Sequence, residues 1–305
     1  MKKYFVILIL QFVSLLGICQ NLEKFVDDER KFGYRDKSTK QVIINPSFGI
    51  ASNFLDGLAI VSENLVAPNE KSKVKIINSK GEFISHDEFD DAENLGKGFI
   101  RVQNNDRNGS QGQINLTGGL FGIIDSKGNL ILPIEYMEIS NIDHDMLIVR
   151  NSSGSGVIDL NGKFLLPVQS NYAISEYLGC NLFAYNVIAT PTKRQSLNRN
   201  GLIDINGTII LNVDSSEFFV KKFDEKFKVA PIQYLNNYYG VINNLGKIII
   251  PKQDEFISVI PKFENNLIIF KSPLKRIENQ YDLSGKLVKT INSQNNDKIN
   301  KLKGK

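Results

Sequence analysis

The 305-residue chain is 42% hydrophobic and 23% charged, which excludes wholesale disorder and leaves enough apolar material for a large core or a long repeat array. Its formal charge of +4 becomes +2 without residues 1–19, where Lys2 and Lys3 are the only charged groups. A balance so close to neutrality excludes a strong global field for nucleic acid or anionic membrane.

Lys2 and Lys3 precede the apolar run Tyr4 to Ile18, too short for a comfortable membrane span and in the order of a secretory signal. Residues 1–19 are expected to be a signal peptide, with cleavage before Gln20; lipidation of Cys19 is the competing reading. Export to the periplasm, the cell surface or the medium follows. After cleavage Cys180 is the remaining thiol, so packing rather than a disulfide must hold the fold, and a buried apolar role suits it. Residues 20–31 read as a short helical or irregular lead-in, residues 32–291 as a repeat domain, and residues 292–305 as a disordered Lys-rich tail.

A degraded copy of the repeat opens the domain at Phe32-Gly33-Tyr34-Arg35-Asp36. Six further copies, 34 to 47 residues apart, follow at Lys75-Ile76-Ile77-Asn78, Gly122-Ile123-Ile124-Asp125, Gly156-Val157-Ile158-Asp159, Gly201-Leu202-Ile203-Asp204, Gly240-Val241-Ile242-Asn243 and Gln280-Tyr281-Asp282. In the clearest copy Leu120–Asp125 and Leu130–Leu132 flank Asp-x-x-Gly, which predicts a β-hairpin: the Asp side chain caps the turn and Gly128 takes its positive φ. Pro133, Pro167 and Pro251 share one offset, where a missing N–H is expected to end pairing of the second strand. A third β-prone run comes later in each unit, at Leu58–Val61, Phe99–Val102, Leu147–Val149, Phe227–Ala230 and Leu267–Phe270. The polar segments before it hold apolar anchors such as Tyr136, Ile139, Phe256 and Ile257, and fit either a fourth strand or an irregular turn. No window supplies a capped amphipathic helix. The expected class is all-β, with about seven three- to four-stranded repeats. A propeller-like toroid is favoured over an open β-solenoid or array.

The pattern Gly-hydrophobic-Ile-Asp-x-x-Gly-x-hydrophobic-Ile-x-Pro, followed by a strand such as Asp56-Gly57-Leu58-Ala59-Ile60-Val61, resembles the WG (KWG) β-repeat family over roughly residues 32–290. The chain departs from that family in having no Trp: Phe32, Phe121 and Tyr239 keep an aromatic before the glycine, while Ser155 and Asn200 replace it. The resemblance implies a binding or scaffolding role and names no catalytic residue.

The residues themselves assemble little chemistry. His86 and His144 lie in different repeats without companions, so neither a metal nor a cofactor is expected. Asp159-x-Asn161-Gly162 and Asp204-x-Asn206-Gly207 look superficially like calcium loops but lack the closing bidentate Glu, and read as turns. Asp87, Glu88, Asp90, Asp91 and Glu93 read as solvated charge, and Ser152–Gly156 as a flexible inter-strand turn rather than a nucleophile elbow. The connections between the third run and the next hairpin vary most in length, and equivalent connections of a repeat protein emerge on one side. Lys193, Arg194 and Arg199 make one basic; Tyr234, Tyr238 and Tyr239 make another aromatic; Lys275 and Arg276 enrich a third. These eight residues form the candidate partner-binding face. The expected function is that of an exported, monomeric, non-enzymatic module binding a protein or cell-envelope polymer, with no nucleic acid, and with membrane contact only through a lipidated Cys19. A structural envelope scaffold is the alternative, and a hydrolase ranks last.

Overall fold

A computed structural model describes residues 21–63, 72–104, 119–170, 172–188, 199–215, 217–272 and 274–292. The expected signal peptide, most of the Lys-rich tail, and Lys193 and Arg194 lie outside these residues. The described chain is all-β, with seven antiparallel sheets, two of three strands and five of four.

Two compact units share it. The first holds sheet one, β1 (Leu22–Val26), β2 (Phe32–Asp36) and β3 (Val42–Phe48); sheet two, β4 (Ile50–Ala51), β5 (Leu58–Ser62) and β6 (Lys75–Asn78); and sheet three, β7 (Asp91–Gly96), β8 (Phe99–Asn104), β9 (Leu120–Ile124) and β10 (Leu130–Tyr136). Sheet four comprises β11 (Glu138–Ile139), β12 (Met146–Arg150), β13 (Gly154–Asp159) and β14 (Phe164–Ser170), and the division between units runs through it. The second unit holds sheet five, β15 (Tyr172–Gly179), β16 (Leu182–Val187), β17 (Gly201–Asp204) and β18 (Ile209–Leu211). Sheet six follows with β19 (Phe218–Val220), β20 (Val229–Tyr234), β21 (Tyr239–Asn243) and β22 (Ile248–Ile250), then sheet seven with β23 (Lys262–Glu264), β24 (Leu267–Ser272), β25 (Ile277–Asp282) and β26 (Leu287–Asn292).

The hairpins fall where the sequence predicts them, as the last two strands of every sheet but the second, where the turn after β6 leads only to an isolated bridge, Ile77↔Phe83. Asp125 Oδ1 accepts the backbone N–H groups of Lys127 and Asn129, both at 2.8 Å, and Asp159, Asp204 and Asp282 do the same in their turns. These are turns held by a carboxylate, as expected. The third run of each sequence unit belongs to the following sheet: β12, holding Leu147–Val149, lies beside β13 and not against the hairpin that precedes it in sequence. The polar segments supply the missing first strands β4, β7, β11, β15, β19 and β23. The lead-in also contains a strand, since β1 pairs antiparallel with β2 from Leu22↔Asp36 to Val26↔Phe32. Gly154 and Ser155 begin β13 opposite Ser170 and Gln169, so only Ser152 and Ser153 of the Ser-rich segment lie in the bend before it.

Proline behaves differently from expectation at two of its three positions. β10 continues through Pro133 and β14 through Pro167, because the strand bulges there instead of stopping. The register jumps from Leu132↔Ile123 to Tyr136↔Phe121 across that bulge. Gly122 lies beneath it, where a Cβ would stand 2.7 Å from the Leu132 carbonyl oxygen. The repeat's glycine is therefore a spatial requirement of the bulge. At Pro251 the strand does end, with β22 closing at Ile250.

Each core cluster spans two consecutive sheets. In sheet two Ala59, Val61 and Ile77 join Tyr34, Ile44 and Phe48 of sheet one, whereas Leu58 and Ile76 join Ile100, Val102 and Ile124 of sheet three. In sheet six Ala230, Ile232 and Ile242 pack towards sheet five, and Val229, Tyr239 and Val241 towards sheet seven. Alternate side chains of one strand leave by opposite faces, so burying both faces demands the unbroken apolar runs Leu-Ala-Ile-Val and Val-Ile. Each fully buried Val, Leu or Ile contributes about 1.5–3 kcal/mol.

Candidate functional site

In a four-stranded antiparallel meander the connection between strands two and three opens at the same end as the connection leaving strand four. In sheet six the first is the turn at Leu235–Asn237, and the second runs from Pro251 to Pro261 into sheet seven. Ser258 donates its backbone N–H to the Asn237 carbonyl at 2.7 Å, tying the two together. Phe256, 1% exposed, pins the longer connection into the core against Phe270, with centroids 5.6 Å apart. Ile257, expected beside it as an anchor, turns outward instead and is 54% exposed. Ile260 and Leu235 are each 60% exposed, and Leu274, on the strand-two-to-three connection of sheet seven, is 96% exposed.

A shallow groove of about 280 Å³ opens beside the turn, lined by Phe219, Lys221, Gln233, Tyr234 and Leu235–Asn237. Lys221 Nζ lies 5.6 Å from the Phe219 ring centroid, and Gln233 Nε2 donates to Asn237 Oδ1 at 2.9 Å. Lys252 Nζ stands over the Tyr238 ring at 4.6 Å. Such aromatic, amide and ammonium groups hold a ligand through stacking, hydrogen bonds and charge; they supply no nucleophile paired with a base.

The predicted residues divide among different roles. Tyr238 is half-buried beside Lys252, and Lys275 and Arg276 are exposed next to Leu274, so these three stay on the loop face. Tyr239 is a correction: at 7% exposure it packs among Val229, Val241 and Ile268, with no surface left for a partner. Tyr234 lies between the two roles, lining the groove while its ring meets Phe218 edge-on at 5.3 Å, and burial raises its hydroxyl pKa. Arg199 is half-buried and tied to Asp214, donating to the main-chain oxygen at 3.3 Å and standing 3.7 Å from the carboxylate. The exposed aliphatics Leu235, Ile257, Ile260 and Leu274 escaped sequence reasoning, because nothing local distinguishes a leucine at a turn tip from one in the core.

Elsewhere three members of the acidic cluster are paired with basic side chains: Lys73 meets Asp90 at 2.8 Å, Lys75 meets Glu88 at 3.1 Å, and Arg101 meets Glu93. His86 and His144 are exposed, the latter 2.7 Å from the Asp143 carboxylate. Cys180 is half-buried in the turn after β15, packs on the Leu178 cluster, and has its thiol pKa raised by burial. Among the described residues no three His, Cys, Asp or Glu side chains gather to hold a metal ion.

Fold and surface together define a β-repeat protein whose inter-strand loops offer an apolar, aromatic and basic face. Residues 76–107, 121–153 and 239–271 match the family described as WG containing repeat. No curated protein matches it. Among solved structures it is similar to a eukaryotic initiation factor (11% identity, covering 89% of this chain and 84% of that chain, TM-score 0.35). It is also similar to apo AztD from Citrobacter koseri (12%, 89% and 85%, 0.32) and to BamB from Moraxella catarrhalis (10%, 87% and 77%, 0.34). Superpositions this loose carry no argument.

Proposed function

We propose that this is an exported binding module that captures an extracytoplasmic protein or cell-envelope polymer through the loop end of its sheets. One observation carries the reading: four large aliphatic side chains, Leu235, Ile257, Ile260 and Leu274, stand exposed on connections at that end of sheets six and seven. Tyr238, Lys252, Lys275 and Arg276 lie among them in sequence and topology. A soluble surface keeps exposed apolar side chains grouped chiefly where a partner covers them, and aromatic and basic neighbours suit such contacts.

The test exchanges Leu235, Tyr238 and Leu274 for serine, alone and together, and measures capture of envelope-fraction components by the purified protein. The triple variant is expected to lose at least tenfold in capture, about 1.4 kcal/mol, while its melting temperature stays at the wild-type value. Undiminished capture by the folded triple variant would contradict the assignment. Export has its own check: the intact mass of protein recovered from the producing cell should correspond to a chain beginning at Gln20.

A further inference from the structure

The groove beside the turn of sheet six is held in shape by contacts on every part of its lining. Phe219 and Lys221 leave β19 by one face, with Gln233 of β20 paired opposite Phe219. Tyr234 rests its ring edge-on against buried Phe218, and its hydroxyl accepts the Lys252 backbone N–H. Asn236 and Asn237 form the turn in left-handed conformations, at φ 70° and 60°. Asn237 is fastened twice, its side-chain oxygen by Gln233 and its carbonyl by the Ser258 N–H. Walls set in advance lose little freedom when a ligand enters.

The lining points to the chemistry of that ligand. It holds the rings of Phe219 and Tyr234, the amides of Gln233, Asn236 and Asn237, and the ammonium of Lys221, with no carboxylate. A pyranose sugar matches the rings and the amides together. Its C–H face covers an aromatic ring, and its rim of hydroxyls exchanges hydrogen bonds with amides, which both donate and accept. Lys221 adds charge complementarity. Among the described residues no carboxylate pairs with this exposed lysine, whose ammonium lies 5.6 Å from the Phe219 ring centroid. An exposed contact of that kind is weaker than a charge-assisted hydrogen bond and yields to an anion. Glu217, the carboxylate that acts on the Tyr234 hydroxyl, is not part of the lining. An extended peptide fits less well. It would pair along β19, yet the Val220 N–H and carbonyl on that edge are both taken by Asn200, at 2.8 and 3.3 Å.

We infer that this groove seats one sugar ring of an acidic polysaccharide, packed against Phe219 and Tyr234, hydrogen-bonded to Gln233 and Asn236, and paired through its carboxylate with Lys221. The inference rests on the loop-end reading above and commits it to a polymer partner. Phe219, Lys221 and Gln233 are residues which that reading does not use.

Titration calorimetry of the full chain tests it with the hexasaccharides of galacturonate, mannuronate and hyaluronate, beside neutral cellohexaose and the acidic peptide hexaglutamate. At least one acidic hexasaccharide is expected to bind about tenfold more tightly than cellohexaose, and hexaglutamate no better than cellohexaose. Lys221→Gln, an exposed change, should bring the acidic sugar down to the cellohexaose level at an unchanged melting temperature. Failure of every acidic hexasaccharide to bind, equal binding of hexaglutamate, or a Lys221→Gln protein that keeps the preference would each overturn the assignment. Envelope capture by a wild type that binds no hexasaccharide removes this inference and leaves the loop-end reading standing. Hexasaccharide binding beside undiminished capture by the Leu235, Tyr238 and Leu274 triple variant sustains this inference and removes that reading.

Discussion

Gly285 meets two demands at once, a φ of +88° and an absent side chain against the Ile249 carbonyl. Gly285→Ala is expected to cost about 2–4 kcal/mol, combining the left-handed conformation with overpacking. Lys40 already bears a side chain at positive φ and pairs with Glu23 at 2.9 Å on an exposed surface, so Lys40→Ala should leave the urea midpoint close to wild type. The turn aspartates predict a pH dependence. The Asp36 carboxyl is held below its ordinary value by the Thr39 backbone N–H, and that of Asp282 by the Ser284 hydroxyl. In Asp125 and Asp159 burial pushes the pKa up, but hydrogen bonds from the turn outweigh it and the net shift is downward. A depressed folded-state pKa contributes stability that is complete above the unfolded value of 3.8 and disappears as the pH falls through the folded one. Chemical denaturation between pH 7 and pH 2 should therefore show stability dropping only at the acid end, and Asp159→Asn should flatten part of that drop. The Asp-x-x-Gly signal was legible because both residues act within their own turn. The seat beneath the glycine was not, since it lies some forty residues earlier in the chain.

At the scale of elements, hairpins were readable and their partners were not. Alternation and turn chemistry specify β9 with β10, yet the sequence repeat and the sheet are out of phase, and Leu147–Val149 joins the following hairpin. Pairing of non-adjacent segments depends on which edges remain free, a property no single window contains. The strand hidden in the lead-in escaped for the same reason: Leu22–Val26 has little pattern of its own and is fixed by five residue pairs with β2. Asn200 shows how a departure from the repeat is compensated. It replaces the aromatic before the glycine and is buried, and it bridges to sheet six by accepting the Val220 N–H at 2.8 Å and donating to the Val220 carbonyl at 3.3 Å. Asn200→Ala should cost about 1–3 kcal/mol by leaving a buried edge unsatisfied, measurable by urea denaturation. Asn200→Asp, which cannot donate, should recover only part of that loss.

For the molecule as a whole, the class and the number of repeats were legible from the period alone, whereas the loop face was only partly so. Of the basic and aromatic residues expected on that face, Tyr238, Lys275 and Arg276 keep accessible surface, but Tyr239 is core and the exposed aliphatics carried no sequence signature. The account rests on coupling: a sheet apolar on both faces is stable only between neighbours, so clusters straddle consecutive sheets and turn glycines press on the strand before them. Native-state hydrogen exchange of Gly285→Ala tests this most directly. Coupling predicts that β22, in the preceding sheet, loses protection together with β25 and β26. Faster exchange confined to residues 282–286, with β22 unchanged, would contradict it.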